Sequence, residues 1–428
     1  MIPAPTAAAP RVRATLWMLT ALSALAFMDR QIVAVLLLPV KSEFGLTDLQ
    51  AGLVTGFGFA LGFALLGLPL GRLADRHDRI RVVAWCRGIG GALAALGAAA
   101  VGAWTLAATR IGGAVSDAGG GPGSMAVIAD LYPPEQRSRA MGTFAMGASL
   151  GSLLALVGGA WLAQHHGWRF TLAAIGLATL VAAVALRWTL GEPARGRRGA
   201  GAGHAAVGGR PAAAGAVRTI LREPVARRLI VAAAFALLAG YSFGAWNFAY
   251  LMRWFGLSST QAGALTGLAA LGSLLGAPVA GALADRLVRR HRRWQMGVPI
   301  IGLALALPCG LAYLSLGPTN VELAVALVCA FAFFVAFWIG PTYAALSMVV
   351  PPDRRGTANA LMLLVGAVGG NGIGPVLTGG LSDLLAGHVA GDPLRPALAA
   401  MLLLLLVAIG ALAWAARDYA RLAGEAAR

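Results

Sequence analysis

Residues 16–38 read LWMLTALSALAFMDRQIVAVLLL, an apolar run interrupted by one acid and one base, Asp29 and Arg30. A helix needs about 20 apolar residues to cross a bilayer, and a charge near the middle of such a span costs about 2.5–3.5 kcal/mol on the insertion scale. A charge at that depth persists where partners or water inside a helix bundle stabilise it. A second apolar segment, ATRIGGAVSDAGGG over 108–121, carries Arg110 and Asp117. Their spacing is close to two helical turns, which places both on one face about 10 Å apart along the axis. Asp29, Arg30, Arg110 and Asp117 together make a neutral intramembrane quartet, the predicted working centre of the chain.

The rest of the composition agrees with a membrane setting. Of 428 residues, 58% are hydrophobic and only 12% charged, and the mean hydropathy is +0.75. In lipid a backbone can satisfy its polar groups only within its own helix or a closed barrel, so the expected class is an all-α, multi-pass membrane protein. The net charge of +17 does not point to nucleic acid, because the arginines fall in short loops between apolar spans and not in a basic domain with stacking aromatics. Cys86, Cys309 and Cys329 all fall inside apolar segments, without disulfide or metal spacing. Arg11 and Arg13 precede the first apolar run, but the Asp29–Arg30 interruption and the lack of a small-residue cleavage site speak against a cleaved signal peptide.

Length and flanking charge predict twelve spans. The first six fall near 14–38, 49–73, 80–102, 104–131, 140–163 and 169–190, the second six near 227–252, 260–284, 295–316, 320–349, 356–384 and 395–416. The domains expected are 1–190, a Gly-, Ala- and Arg-rich linker at 191–224 ending in a short helix near 217–222, and 225–428. Basic residues crowd the even connections: Arg72, Arg76, Arg79 and Arg81, then Arg137 and Arg139, then the linker, Arg286 to Arg293, and Arg354 and Arg355. The odd connections hold little beyond Lys41, Arg169, Arg253 and Arg395. The positive-inside rule then places both termini and the linker in the cytoplasm.

The two halves repeat. GRLADRHDRIR at 71–81 returns as GALADRLVRRHRR at 281–293, aligning Asp75 with Asp285; PPEQRSRA at 133–140 returns as PPDRRGTA at 351–358, aligning Arg137 with Arg355. Gly158 and Gly159 match Gly379 and Gly380, each pair displaced by about half the chain. Two pseudo-symmetric six-helix halves with a midplane site are a recurrent transporter plan.

With these motifs the chain resembles the major facilitator superfamily over nearly its whole length. Its loop at 71–81 matches that superfamily's pattern G-x-L-A-D-R-x-G-R-(R/K) at Gly71, Leu73, Asp75, Arg76 and Arg79, with Asp78 where glycine is usual. The loop implies a gate: Asp75 caps a neighbouring helix and pairs with arginines, holding the cytoplasmic side shut in one state. Arg76, Arg79, Asp285, Arg137 and Arg355 are the other gating candidates. MDRQI at 28–32, GLPLGRLADR at 67–76, GWR at 167–169, NGIGP at 371–375 and LSD at 381–383 resemble the spinster-like branch, which is associated with lysolipids and sphingoid phosphates. That branch carries arginine followed seven residues on by glutamate; here Arg110 is followed by Asp117, and Ser116 replaces glycine. Organic-anion symporters of the superfamily share several of these features. The superfamily's antiporter motif has a Gly-Pro pair in the fifth span, and this chain lacks the proline, which leaves the direction of coupling open.

Three readings of the quartet stand side by side: a fixed ion-pair network, an arginine site for an anionic head group, and a proton-exchange device. Burial raises a carboxylate pKa and a nearby arginine lowers it, so an acid that parts from its arginine during a cycle takes up a proton. On the third reading, which we follow, Asp29, Asp117 and Arg110 carry the coupling, with protons as the coupling ion and no other cofactor or metal. His165, His166 and His204 fall in loops or the linker and are expected to be solvated. Candidate pocket walls are Tyr241, Trp246, Asn247 and Tyr250 in the seventh span, Phe333, Phe337, Trp338 and Tyr343 in the tenth, and Asn371 in the eleventh. With Arg30, Arg110 and Asp117 in the first half, the cavity suits an amphiphile, head group on Arg110 and tail on the aromatics. Gly142, Gly147, Gly151 and Gly158 in the fifth span, and Gly366, Gly370, Gly374 and Gly379 in the eleventh, are expected to let helices approach closely. The function expected is secondary active transport of an amphiphilic or anionic small molecule by a monomer in a bacterial inner membrane. An organic-anion symporter or a multidrug exporter of the same superfamily is the alternative, and a non-transporting receptor or scaffold a more distant one. An enzyme is not expected, since no nucleotide loop or nucleophile–base pair occurs.

Overall fold

The computed structural model describes residues 9–132, 134–189, 212–351 and 354–425, and every regular element among them is helical. In chain order these are α1 (Ala9–Phe44), α2 (Asp48–Gly52), α3 (Gly58–Arg76), α4 (Arg79–Gly97), α5 (Ala103–Gly113), α6 (Val115–Leu131), α7 (Pro134–Leu154) and α8 (Ala160–Thr189). After the linker come α9 (Ala212–Arg222), α10 (Pro224–Phe255), α11 (Ser259–Val288), α12 (Trp294–Ser315), α13 (Val321–Val335), α14 (Ile339–Val349), α15 (Arg355–Val365), α16 (Gly374–Leu385) and α17 (Leu394–Glu425). Wide π-turns at Leu53–Phe57, Ala155–Gly159 and Gly366–Ile373 join α2 to α3, α7 to α8 and α15 to α16. The short helix expected near 217–222 is α9; residues 190–211, including His204, lie outside the described part.

Ten stretches among the described residues are long and apolar enough to cross a membrane, against the twelve read from the sequence. Two physical features account for the difference. The stretch Arg139–Thr189 runs for 51 residues, and Gly167, at φ 81° and ψ 165°, breaks its helix into two. Only glycine enters that left-handed region without a Cβ clash. The expected fourth span is divided at Ala114 into α5 and α6, each too short to count alone.

The chain packs into two compact units. The first takes residues up to Val40 and then Gly58–Gly208; the second takes Lys41–Phe57 and Gly209–Arg428. Lys41–Phe57 is therefore a strap that leaves the first unit at the end of α1, packs in the second, and returns at α3. In the first unit a buried cluster joins Leu16, Leu19 and Leu22 of α1 to Ile80 and Val83 of α4, Val127 and Ile128 of α6, Phe144 of α7 and Leu186 of α8. α7 lies on α1 because Gly147 and Gly151 present bare backbone: a Cβ at Gly151 would sit 2.0 Å from the Ala24 carbonyl oxygen. Gly142 and Gly158, also expected at helix contacts, have open space where a Cβ would be. Asp78, the departure from the loop pattern, caps α4 by accepting a hydrogen bond from the Arg81 amide at 2.9 Å, the ordinary use of aspartate at a helix start.

The second unit has an aromatic centre: Phe243, Tyr250, Phe255, Tyr313 and Phe331 meet edge-on, tilted or stacked with centroids 4.5–6.2 Å apart. α10 opens with Glu223 as cap and Pro224 in its first turn, and closes on Gly256 at φ 66°, a proline-first, glycine-last frame. The strap lies against α16 and the turn before it, where a Cβ at Gly52 would meet the Pro375 carbonyl oxygen at 2.5 Å and one at Gly56 the Asn371 oxygen at 2.7 Å.

Candidate functional site

Arg110 stands in the last turn of α5 and Asp117 in the first turn of α6, the helix ends at which a cation and an acid sit favourably. Ala114 separates the two turns, and the two side chains take different partners. Arg110 reaches α1, donating from Nη1 to Asp29 Oδ1 at 2.9 Å and from Nη2 to the Asp29 carbonyl at 3.0 Å. Both side chains are largely withdrawn from solvent, 6% exposed for Arg110 and 15% for Asp29. Two bonds to one residue fix the guanidinium plane as well as its charge.

Asp117 is held by a residue that the sequence reading passed over. Arg87, in the middle of α4, donates from Nη1 to Asp117 Oδ1 at 3.0 Å and to Ser116 Oγ at 3.1 Å. Its side chain is 2% exposed. Gly120 makes the room, since a Cβ there would lie 2.5 Å from Arg87 Nε. That Nε is buried without a hydrogen-bond partner among the described residues. A lone arginine in an apolar helix requires an acid, and this was the available signal in VVAWCRGIGG at 82–91.

The quartet is thereby corrected. Asp29 and Arg110 form one pair, Asp117 and Arg87 a second, and Arg30 belongs to neither. Arg30 is half-buried with its guanidinium 4.9 Å from the centroid of the Phe59 ring and 5.8 Å from that of Phe27.

Of the pocket candidates in the second unit, five are committed to packing: Tyr250 in the aromatic centre, Phe337 against α11 and α12, and the three that follow. Trp246 is fully buried and donates from Nε1 to the Pro375 carbonyl at 3.0 Å. Asn247 is buried and accepts from the Tyr313 hydroxyl at 2.8 Å. Trp338 is buried and stacks on Tyr343 at 6.5 Å. The long apolar face of α10 turns Trp246 and Asn247 inward, so they brace the unit and do not line open space. Tyr241, Tyr343 and Asn371 remain half-buried, with the Tyr241 ring against Gly370.

Among the gating candidates, Arg79 of α4 pairs with Asp130 at the end of α6, an acid that sequence reading did not single out. Asp285 is exposed near the end of α11. The side chains of Asp75, Arg76, Arg137 and Arg355 lie outside the described part. His165 and His166 are exposed and stack on Trp161 and Phe170. Among the described residues no three His, Cys, Asp or Glu side chains come together as a metal site.

The four basic residues that the positive-inside rule left over are all engaged. Arg169 donates to the carbonyls of Ala98 and Ala100. Arg395 donates to those of Leu314 and Ser315. Lys41 and Arg253 converge on Asp48 of the strap, which is 3% exposed and also accepts from Ser382 Oγ at 2.7 Å. Arg253 continues to Asp392 at 2.6 Å, and the amides of Asp48 and Leu49 donate to Asp383 at 2.9 and 2.8 Å. Breaking a buried ion pair by removing one partner costs about 3–5 kcal/mol. Asp48→Asn is accordingly expected to lower the unfolding temperature of the purified protein by several degrees, and an unchanged midpoint would mean that the strap is held without that carboxylate's charge, by its glycine contacts and its amide bonds to Asp383.

The comparisons with known proteins agree with this architecture. The family model for the Major Facilitator Superfamily matches residues 19–370 and again 230–427. An MFS-type efflux pump of Mycolicibacterium smegmatis is 33% identical over 402 residues, covering 93% of this chain and 90% of that protein. A gallate transporter of Pseudomonas putida is 30% identical over 358 residues, covering 77% of each. Among solved structures, a bacterial homolog of the human lysosomal transporter Spinster, inward-facing and unoccupied, superposes with a TM-score of 0.84 at 26% identity, covering 96% of this chain and 98% of that one. This chain belongs to the major facilitator superfamily, whose members are non-enzymatic membrane transporters, and it is similar to spinster-like proteins within it.

Proposed function

We propose that the protein is a proton-coupled secondary active transporter of an anionic organic molecule, and that the Asp29–Arg110 pair is its coupling element. The observation carrying this reading is a carboxylate and a guanidinium bound to each other deep in apolar helices, 2.9 Å apart. Neutralising the acid by a proton frees the arginine for an anion, so one event links proton and substrate. Asp117, held by Arg87, is the second acid of the coupling site. Uptake into proteoliposomes under an imposed pH gradient tests the proposal, and uptake of the substrate that ignores the gradient would overturn it.

The finer architecture belongs to the same proposal: twelve spans as two six-helix halves, 1–190 and 225–428, joined by the linker at 191–224. Tyr241, Tyr343 and Asn371 are the second half's candidates for substrate contact, and the loop charges Asp75, Arg76, Arg79, Arg137, Asp285 and Arg355 are its gate. The protein works as a monomer in a bacterial inner membrane, without a cofactor other than the coupling proton. An amphiphilic, lipid-like substrate is the second reading, favoured by the similarity to a Spinster homolog across 96% of the chain.

Both termini and the linker lie in the cytoplasm on this proposal. A single cysteine placed at Gly203 of a cysteine-free variant should resist an impermeant maleimide in intact cells and react in inverted vesicles. Labelling from outside would reverse the orientation.

A further inference from the structure

We propose that Arg30, against the rings of Phe27 and Phe59, receives the anionic group of the substrate first, before protonation of the neighbouring Asp29 frees Arg110 to bind it as well, and that this substrate is a flat organic carboxylate. The inference rests on the transporter reading above and extends it to the chemistry of the ligand.

Charge balance carries it. Asp29, Arg30, Arg87, Arg110 and Asp117 stand inside the apolar stretches of the first unit. Arg110 neutralises Asp29 and Arg87 neutralises Asp117, which uses both acids. Among the described residues Arg30 pairs with no carboxylate, so the site keeps one positive charge.

Position excludes the simplest escape for that charge. An arginine near a helix end extends its side chain to the membrane surface. Arg30 is eight residues inside the span end expected at 38, about 12 Å at 1.5 Å per residue and beyond the reach of its side chain, and it is farther from the other end. Its surroundings are aromatic: Phe59 at 4.9 Å and Phe27 at 5.8 Å, with Phe63 stacked on Phe59 at 6.2 Å. Ring faces attract a cation but accept no conventional hydrogen bond, which leaves the N–H edges of the guanidinium to be satisfied. A carboxylate fits that edge with two parallel bonds. A flat body conjugated to it can lie along Phe59 in the offset or edge-on geometry that aromatic pairs adopt.

Thermal unfolding of the purified protein in lipid nanodiscs tests this with named probes: benzoate, 4-hydroxybenzoate and 3,4,5-trihydroxybenzoate, the methyl ester of each, benzyltrimethylammonium and a lysophosphatidate. At least one free carboxylate should raise the wild-type midpoint saturably, while its ester and the ammonium compound should not. Arg30→Gln should weaken that response by about 10- to 100-fold, the range for a lost hydrogen bond to a charged group, and Arg30→Lys should fall between. Without ligand, Arg30→Gln should unfold at or above the wild-type midpoint, since it removes an unbalanced charge, whereas Arg110→Gln should unfold lower. A carboxylate response equal in Arg30→Gln and wild type would overturn the proposal. So would stabilisation by the lysophosphatidate alone, by no carboxylate at all, or a ligand-free loss in Arg30→Gln as large as in Arg110→Gln. The assay uses no proton gradient, so its failure leaves the coupling reading to stand or fall on the proteoliposome experiment.

Discussion

Asp29→Asn is expected to abolish accumulation driven by a pH gradient while exchange of substrate across the membrane continues. One pH unit is worth about 1.4 kcal/mol per proton, enough for about tenfold accumulation at a stoichiometry of one. The variant's ratio should fall to about one. The side chain keeps its size and one hydrogen-bond acceptor for Arg110 but can no longer gain and lose a charge, and the guanidinium, 6% exposed, stays permanently without its counter-charge. Counterflow in proteoliposomes reads the surviving exchange, and uptake under an imposed gradient reads the lost coupling. An asparagine variant that still concentrates its substrate about tenfold per pH unit would place the proton path elsewhere.

The second large effect belongs to Arg87. Arg87→Gln strands Asp117 in the first unit beside Ser116, and Asp117→Asn strands Arg87, which among the described residues has only that carboxylate and a serine hydroxyl as its hydrogen-bond partners. Each change should cost about 3–5 kcal/mol of stability, the usual penalty for breaking a buried pair. The double variant, a neutral amide pair in the same space, should recover most of that loss. A coupling energy of about 2 kcal/mol or more in the cycle would establish the pair; simple addition of the two losses would show that α4 and α6 are held by packing alone. Gradient-driven uptake by the double variant then reports whether Asp117 carries a proton at all.

Much of the first unit's chemistry was legible in its residues, and the missing part has a definite cause. Asp29 in α1 and Arg110 in α5 could be matched, because on the expected topology these helices cross in opposite directions and counting 1.5 Å per residue from opposite faces brings the two residues to similar depth. Arg87 could not be matched by counting. Which neighbour an arginine meets depends on how α4 rotates against α6, and that rotation is set by the bare backbone at Gly90 and Gly120, far apart in sequence. The same limit applies in the second unit. Spacing put Trp246 and Asn247 on helix α10 but could not tell its inner face from a cavity wall, and Tyr313 and Pro375, which hold them, lie in other helices. The break at Ala114 was equally hidden, since two glycines before it read as ordinary small residues of a span. The strap had a visible marker in Thr47 and Gln50, which form a capping box at the start of α2, but nothing local identified Ser382, Asp383 or Arg253 as its anchors.

The strap also has a consequence for how the protein is made. Asp48 leaves the ribosome early, yet its amide bonds to Asp383, 335 residues further along the chain. At about 5–20 residues per second, the carboxylate at position 48 waits roughly 15 to 70 s for its last anchor. Until Arg253 emerges, 205 residues on, Lys41, seven residues away, is the nearest counter-charge at hand, and throughout the interval the backbone exposed at Gly52 and Gly56 has no α16 to cover it. The first two apolar helices are therefore made before the segment joining them can take its final place, and that segment closes only once α16 has been synthesised. A chain truncated before residue 374 would carry an unfinished joint near its beginning, a defect that membrane quality-control proteases could read.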